Sequence, residues 1–207
     1  MAAARLAGNR RREQNPAYGL LRPIFPGESV TQQEGWLAAV SAASEEYRQL
    51  PPHLSIRVGE LVAEIYLLKE SFQRIAAKVD ADGACARCGG LCCRHGKHHF
   101  SAVDLLAYLA TGRELFTPDF AHQICPYLSF RGCLMEPGLR PFNCIIFLCD
   151  QLEGQLCEEA RGELLTLEQE LRRLYLCLEL LLGNRFANGL LITWERAVSS
   201  GKGLFNY

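Results

Sequence analysis

Two stretches of the chain carry apolar residues at helical spacing. Val58, Leu61, Ile65, Leu68, Phe72, Ile75 and Val79 alternate gaps of three and four, which lines one face of a helix over about three heptads. Leu164, Leu167, Leu171, Leu174, Leu178 and Leu181 repeat that spacing, and Gly183-Asn184 supplies a stop signal after them. An earlier helix is expected from Thr31 or Gln32 to Leu50, where Pro51 and Pro52 end it. A shorter one is expected to start at the cap Ser101, with Asp104 in its first turn, and to run to about Thr111 before Gly112. The two seams are expected to pack on each other or on the first helix, the alternative being a homodimer through a leucine seam.

The rest of the chain reads differently. Residues 1–31 hold three of the nine prolines and little periodicity, so they are expected to form an extended lead-in. "DADGACARC" ends the first seam with turn residues. Residues 117–150 hold four cysteines, four prolines and two glycines and are expected to be mostly irregular. The fold class is therefore mainly α: a single helical domain over 32–207, with an irregular cysteine-rich insert at about 85–150. Neither an internal repeat nor a low-complexity tract is visible.

Composition narrows the class. Hydrophobic residues make up 49% of the chain and charged residues 22%, as in ordinary globular proteins. A formal net charge of -1 gives no support to a nucleic-acid partner or a polybasic membrane binder. The most apolar stretch, "LYLCLELLLGN", is interrupted by Glu179 and is too short to span a bilayer. "MAAARLAGNRRREQNPAYG" places its arginines after the small residues, the reverse of a secretory signal. A cytoplasmic location is expected, where clustered cysteines more often serve as metal ligands or redox groups than as disulfides.

Eight of the ten cysteines lie between residues 85 and 149. "CARCGGLCCRHGKHH" supplies Cys85, Cys88, Cys92 and Cys93; the second group is Cys125, Cys133, Cys144 and Cys149. A Cys-x2-Cys turn lets two sulfurs converge on one ion, and glycines such as Gly89 and Gly90 permit the close backbone approach. Neighbouring side chains diverge, by about 100° on a helix and oppositely on a strand. Cys92 and Cys93 are thus expected to serve two centres, or separate parts of a polynuclear one. Eight thiolates suit two four-ligand sites: zinc, iron-sulfur clusters, or one of each. His95, His98 and His99 are candidate extra ligands, since imidazole suits both zinc and iron. Arg87, Arg94, Lys97, Arg131 and Arg140 lie near the cysteines in sequence and are candidates to offset the charge of a thiolate-rich centre. Cys157 and Cys177 fall outside the pattern, and Cys177 is expected to be a small buried residue beside the leucine seam.

"CARCGGLCC", "CPYL" at Cys125 to Leu128 and "RPFNCIIFLC" at Arg140 to Cys149 resemble the YkgJ-like cysteine-cluster family, known by the CxxCxxCC signature and described as zinc- or iron-chelating. The resemblance covers about residues 85–150 and implies metal binding by the eight matched cysteines. A related cluster occurs in flagellin lysine methylases, which adds protein modification to the readings it implies. Three residues here separate Cys88 from the Cys-Cys pair where the familiar form has two. Ile145 stands where an arginine commonly follows the cysteine, and "LMEPGL" replaces the usual Ile-Tyr stretch before Arg-Pro.

Three functions compete at this point: a structural zinc module that engages a protein partner, an iron-sulfur redox protein, and a metal-dependent modifying enzyme. No catalytic residue is assigned. The chain has no Gly-x-Gly-x-x-Gly loop after a strand, no P-loop and no His-Glu-x-x-His, and "SSGKGLF" resembles a phosphate loop only superficially. A dithiol role for Cys85 and Cys88 lacks the strand-and-helix context of thioredoxin-like proteins.

Overall fold

A computed structural model of the chain describes residues 26–81, 83–84, 91–129, 132–183 and 188–207. Helix α1 spans Pro26–Arg48, starting five residues before the expected Thr31. Proline is well tolerated in a first helical turn, where its missing N–H has no intrahelical partner to lose. Helix α2 spans Pro52–Ala77, again with a proline at its start. Helices α3 (Ala102–Thr111), α4 (Phe142–Ile146), α5 (Asp150–Glu153), α6 (Glu158–Leu182) and α7 (Leu190–Ser200) follow. The mainly α class is observed. A 3-10 segment covers Leu91–His98 and a second covers Pro137–Leu139.

The two apolar seams become the centre of the molecule. Along α2, Val58, Leu61, Ile65, Phe72 and Ile75 are buried, and so is Val62; Leu68 is only half-buried. Along α6, Leu164, Leu171, Leu174 and Leu178 are buried with Ala160 and Leu182, while Leu167 and Leu181 are half-buried. The two helices pack on each other along the most extensive helix-to-helix contact of the described residues. Each fully buried leucine contributes about 1.5–3 kcal/mol of transfer free energy. The buried seam leucines lie in the chain's own core.

Helix ends follow their local chemistry. Ser101 and Asp104 form a reciprocal capping box at the start of α3, and Gly112 closes that helix with φ 63°. Gly183 ends α6 with φ 60°. A β-carbon at Gly183 would also lie 1.8 Å from the Asn206 carbonyl oxygen, so the position needs glycine twice over. α7 was not expected from the periodicity; it packs against α1, which also contacts α3.

The described residues of 117–150 are largely irregular, with short ordered pieces among them. Leu128–Ser129 (β1) and Gly132–Cys133 (β2) pair antiparallel, with Leu128 opposite Cys133. α4 carries Cys144, and Cys149 immediately precedes α5. No described helix is long and apolar enough to cross a membrane.

Candidate metal centre

An aromatic cluster fixes the backbone on both sides of Cys125. Trp36 from α1 sits 4.9 Å from Phe100, 5.8 Å from Phe116 and 6.0 Å from Tyr127, centroid to centroid. Phe100 directly follows His99, and Tyr127 lies two residues after Cys125. Such ring pairs add about 0.5–1.5 kcal/mol each beyond area burial. The turn before Cys125 is fastened by His122, whose Nδ1 accepts the N–H groups of Ile124 and Cys125, each at 3.2 Å.

The 3-10 segment Leu91–His98 is held against this frame by two close approaches. A β-carbon at Gly96 would lie 2.6 Å from Cys125 Sγ, and one at Gly189 would lie 2.5 Å from the His98 carbonyl oxygen. The Leu190 N–H donates to the Phe100 carbonyl at 2.6 Å. Glycine is required at position 189, where a side chain would push into the His98 backbone, while a side chain at position 96 would displace the Cys125 sulfur. His99 is thereby set beside α4: its Nδ1 lies 3.3 Å from Cys144 Sγ.

Burial pushes the Cys125 thiol up to about 11, helped by Cys133 and opposed by the Tyr127 backbone. Burial likewise raises Cys144 far above the ordinary thiol range, with Cys133, Cys125 and Asp104 adding to it and Lys69 opposing. Cys125 is buried, Cys144 half-buried and Cys133 exposed. Thiols raised in this way, Cys125 and Cys144, stay neutral until a cation arrives to stabilise the thiolates.

Cys149 lies elsewhere. It packs with Leu148, Val79 and Ala84 on a small cluster of Ala76, Ala81 and Leu152, separate from the main core. Cys93 is half-buried and packs against the main core. Cys85 and Cys88 lie outside the described residues, as do Arg87 and Arg131, and the side chains of Cys92, His95 and Lys97 are not described. His98 is exposed. Arg94 is half-buried. Arg140 donates to the Met135 carbonyl and to Gln73 Oε1, both at 3.4 Å. Cys177 is half-buried, with Arg173 Nη1 3.8 Å from its sulfur, instead of fully buried beside the seam. Cys157 is exposed. Among the described residues, no three His, Cys, Asp or Glu side chains stand together closely enough to hold an ion as placed.

Beside the thiols lies a charged network that periodicity did not reveal. Lys69 and Asp104 are both 0% exposed, and Nζ lies 3.1 Å from Asp104 Oδ1. The same oxygen accepts the Tyr175 hydroxyl at 2.9 Å. Asp104 Oδ2 accepts the Ser101 N–H at 2.9 Å and the Ser101 hydroxyl at 2.7 Å. Burial, then the Asp104 carboxylate beside it, push the Tyr175 phenol well above its ordinary range. The one available signal was a lysine one residue past the seam position Leu68, in the same heptad as apolar neighbours.

Compared with protein-family models, curated proteins and solved structures, the chain finds no match.

Proposed function

We propose that this chain is a metal-binding protein that holds zinc or iron through its clustered cysteines, with more than one metal atom per chain. The observation that carries the reading is the packing of eight cysteines into residues 85–149. The 3.3 Å approach of His99 Nδ1 to Cys144 Sγ supports it. The donor chemistry fits: soft thiolates and imidazole favour zinc and iron over magnesium or calcium. The Gly96 contact, which a β-carbon would close, also lets the Leu91–His98 segment lie directly on Cys125.

A metal in a closed thiolate-rich shell supplies folding free energy and leaves no open position for substrate. The chain's own residues would do the rest. The aromatic cluster and His122 hold the ligand-bearing turns. Burial of Cys125 keeps water from its sulfur. A structural or regulatory zinc module that engages a protein partner, in the cytoplasm where thiols stay reduced, is the form favoured here. The adjacent Cys92 and Cys93 favour a second form, an iron-sulfur centre used in redox chemistry.

Three variants test the reading. Cys88→Ser and Cys144→Ser are expected to lower the metal content of the folded full chain, and Cys177→Ser to leave it unchanged. Equal metal content in all three would remove the assignment.

A further inference from the structure

The polypeptide leaves α7 at Gly201, whose φ of 64° turns it out of the helix. Beyond Lys202 the backbone is irregular, yet three successive N–H groups are taken by other elements. Leu204 and Phe205 donate to the two carboxylate oxygens of Glu46, in the last turn of α1, at 2.9 and 2.7 Å. Asn206 donates to the carbonyl of Leu182, the last residue of α6, at 2.7 Å. Leu204 is 0% and Phe205 5% exposed, and both side chains join the main core.

The attachment of this segment differs from that of the helices. Its tethers run to a side chain and a helix end instead of to a helical turn or strand ladder of its own. One half-buried carboxylate takes two of the three. The fit there is tight, since a β-carbon at Gly203 would lie 2.9 Å from Glu46 Oε2. A methyl group at that position would displace the carboxylate from Leu204 and Phe205.

We infer that residues 203–207 are a strap with Glu46 as its latch, opening as one unit about Gly201 and Gly203 while the helical frame stays folded. A charged acceptor makes hydrogen bonds about twice as strong as a neutral one, and movement of Glu46 releases both at once. Segments held by few tertiary bonds are the ones that open locally, below the free energy of global unfolding. Opening uncovers the Glu46 carboxylate, the Leu182 carbonyl and the apolar places of Leu204 and Phe205. Nothing in this strap depends on metal.

Amide hydrogen exchange of the full chain, followed residue by residue at increasing low urea concentrations, tests the strap. Leu204, Phe205 and Asn206 should exchange through one shared opening, faster than Leu171 and Leu174 of α6. Their rates should also rise less with urea, because a local opening exposes little surface. Rates and urea dependence equal to those of Leu171 and Leu174 would make the segment part of the frame and overturn the inference. Asn206 then tests the latch, because its own partner is Leu182 and not Glu46. In Glu46→Ala its exchange should speed up with that of Leu204 and Phe205, by roughly tenfold or more. Acceleration of Leu204 and Phe205 alone means that two hydrogen bonds were removed and no latch exists, which also overturns it; so does an unchanged rate at all three. Should Glu46→Ala fail to fold, Gly203→Ala is read by the same criteria.

Discussion

Asp104 holds two positions in the molecule at once. Its Oδ2 closes the capping box with Ser101, and its Oδ1 receives Lys69 and Tyr175 from α2 and α6. Four donors on one buried carboxylate satisfy it fully, which a charge removed from water requires. Removing one partner leaves the other charge stranded. Asp104→Ala is expected to cost about 3–5 kcal/mol, read as a lower urea midpoint. Lys69→Met should cost a similar amount, and Lys69→Met combined with Asp104→Asn less than the sum of the two single changes. The capping half of this arrangement was legible, because serine followed three residues later by an acid is a start signal. The lysine half was not, because periodicity ranks residues by apolarity and Lys69 is a cation.

The thiols carry a pH consequence at the same scale. Cys125 keeps its proton in the folded, metal-free chain up to about 11, against an ordinary 9.0. Between those values the unfolded chain has released a proton that the folded one retains, so stability falls as pH rises. Stability contributed by this group is complete below 9.0 and gone once pH passes about 11. Metal-free protein is therefore expected to lose thermal stability steeply above pH 9, and Cys125→Ala less steeply. Identical pH profiles would remove burial of this thiol as the cause.

Among the elements, α2, α3 and α6 could be read directly, because each has either a seam or a cap at the spacing a helix requires. α6 ends at Gly183 as its stop signal indicates. α1 was recognised but begins earlier, since Pro26 is compatible with a first turn. α7 escaped because "LLITWERAVSS" is short and its buried residues, Leu190, Thr193 and Ala197, make a weak stripe. Packing of α2 on α6 gives a direct test. Leu171, fully buried, changed to Ala should cost about 2–5 kcal/mol, whereas the exposed Leu180 changed to Ala should cost little. Equal costs by denaturant unfolding would contradict the observed facing of α6. The 3-10 segment Leu91–His98 was not foreseen as an element; it is set by contacts with Cys125 and Gly189 that lie far away in sequence.

At the scale of the whole molecule, the described residues form a helical frame, with Cys93 on a 3-10 segment, Cys133 on a short strand and Cys144 on a short helix. Its candidate ligands were legible as residue types and spacings, because thiolate chemistry needs little else to be recognised. Their placement was not, because Cys149, five residues after Cys144, packs on the small cluster of Ala76, Ala81 and Leu152. His99 was one of three equivalent histidines in the sequence and is set apart by its distance to Cys144.

Elemental analysis of the full chain, purified without oxygen and combined with an absorption spectrum, tests the central claim most directly. The account predicts about two zinc per chain with no visible band, the mark of closed structural sites; iron with acid-labile sulfide and a broad visible band would keep metal binding and move the weight to redox chemistry. Folded protein carrying neither zinc nor iron above background would contradict it.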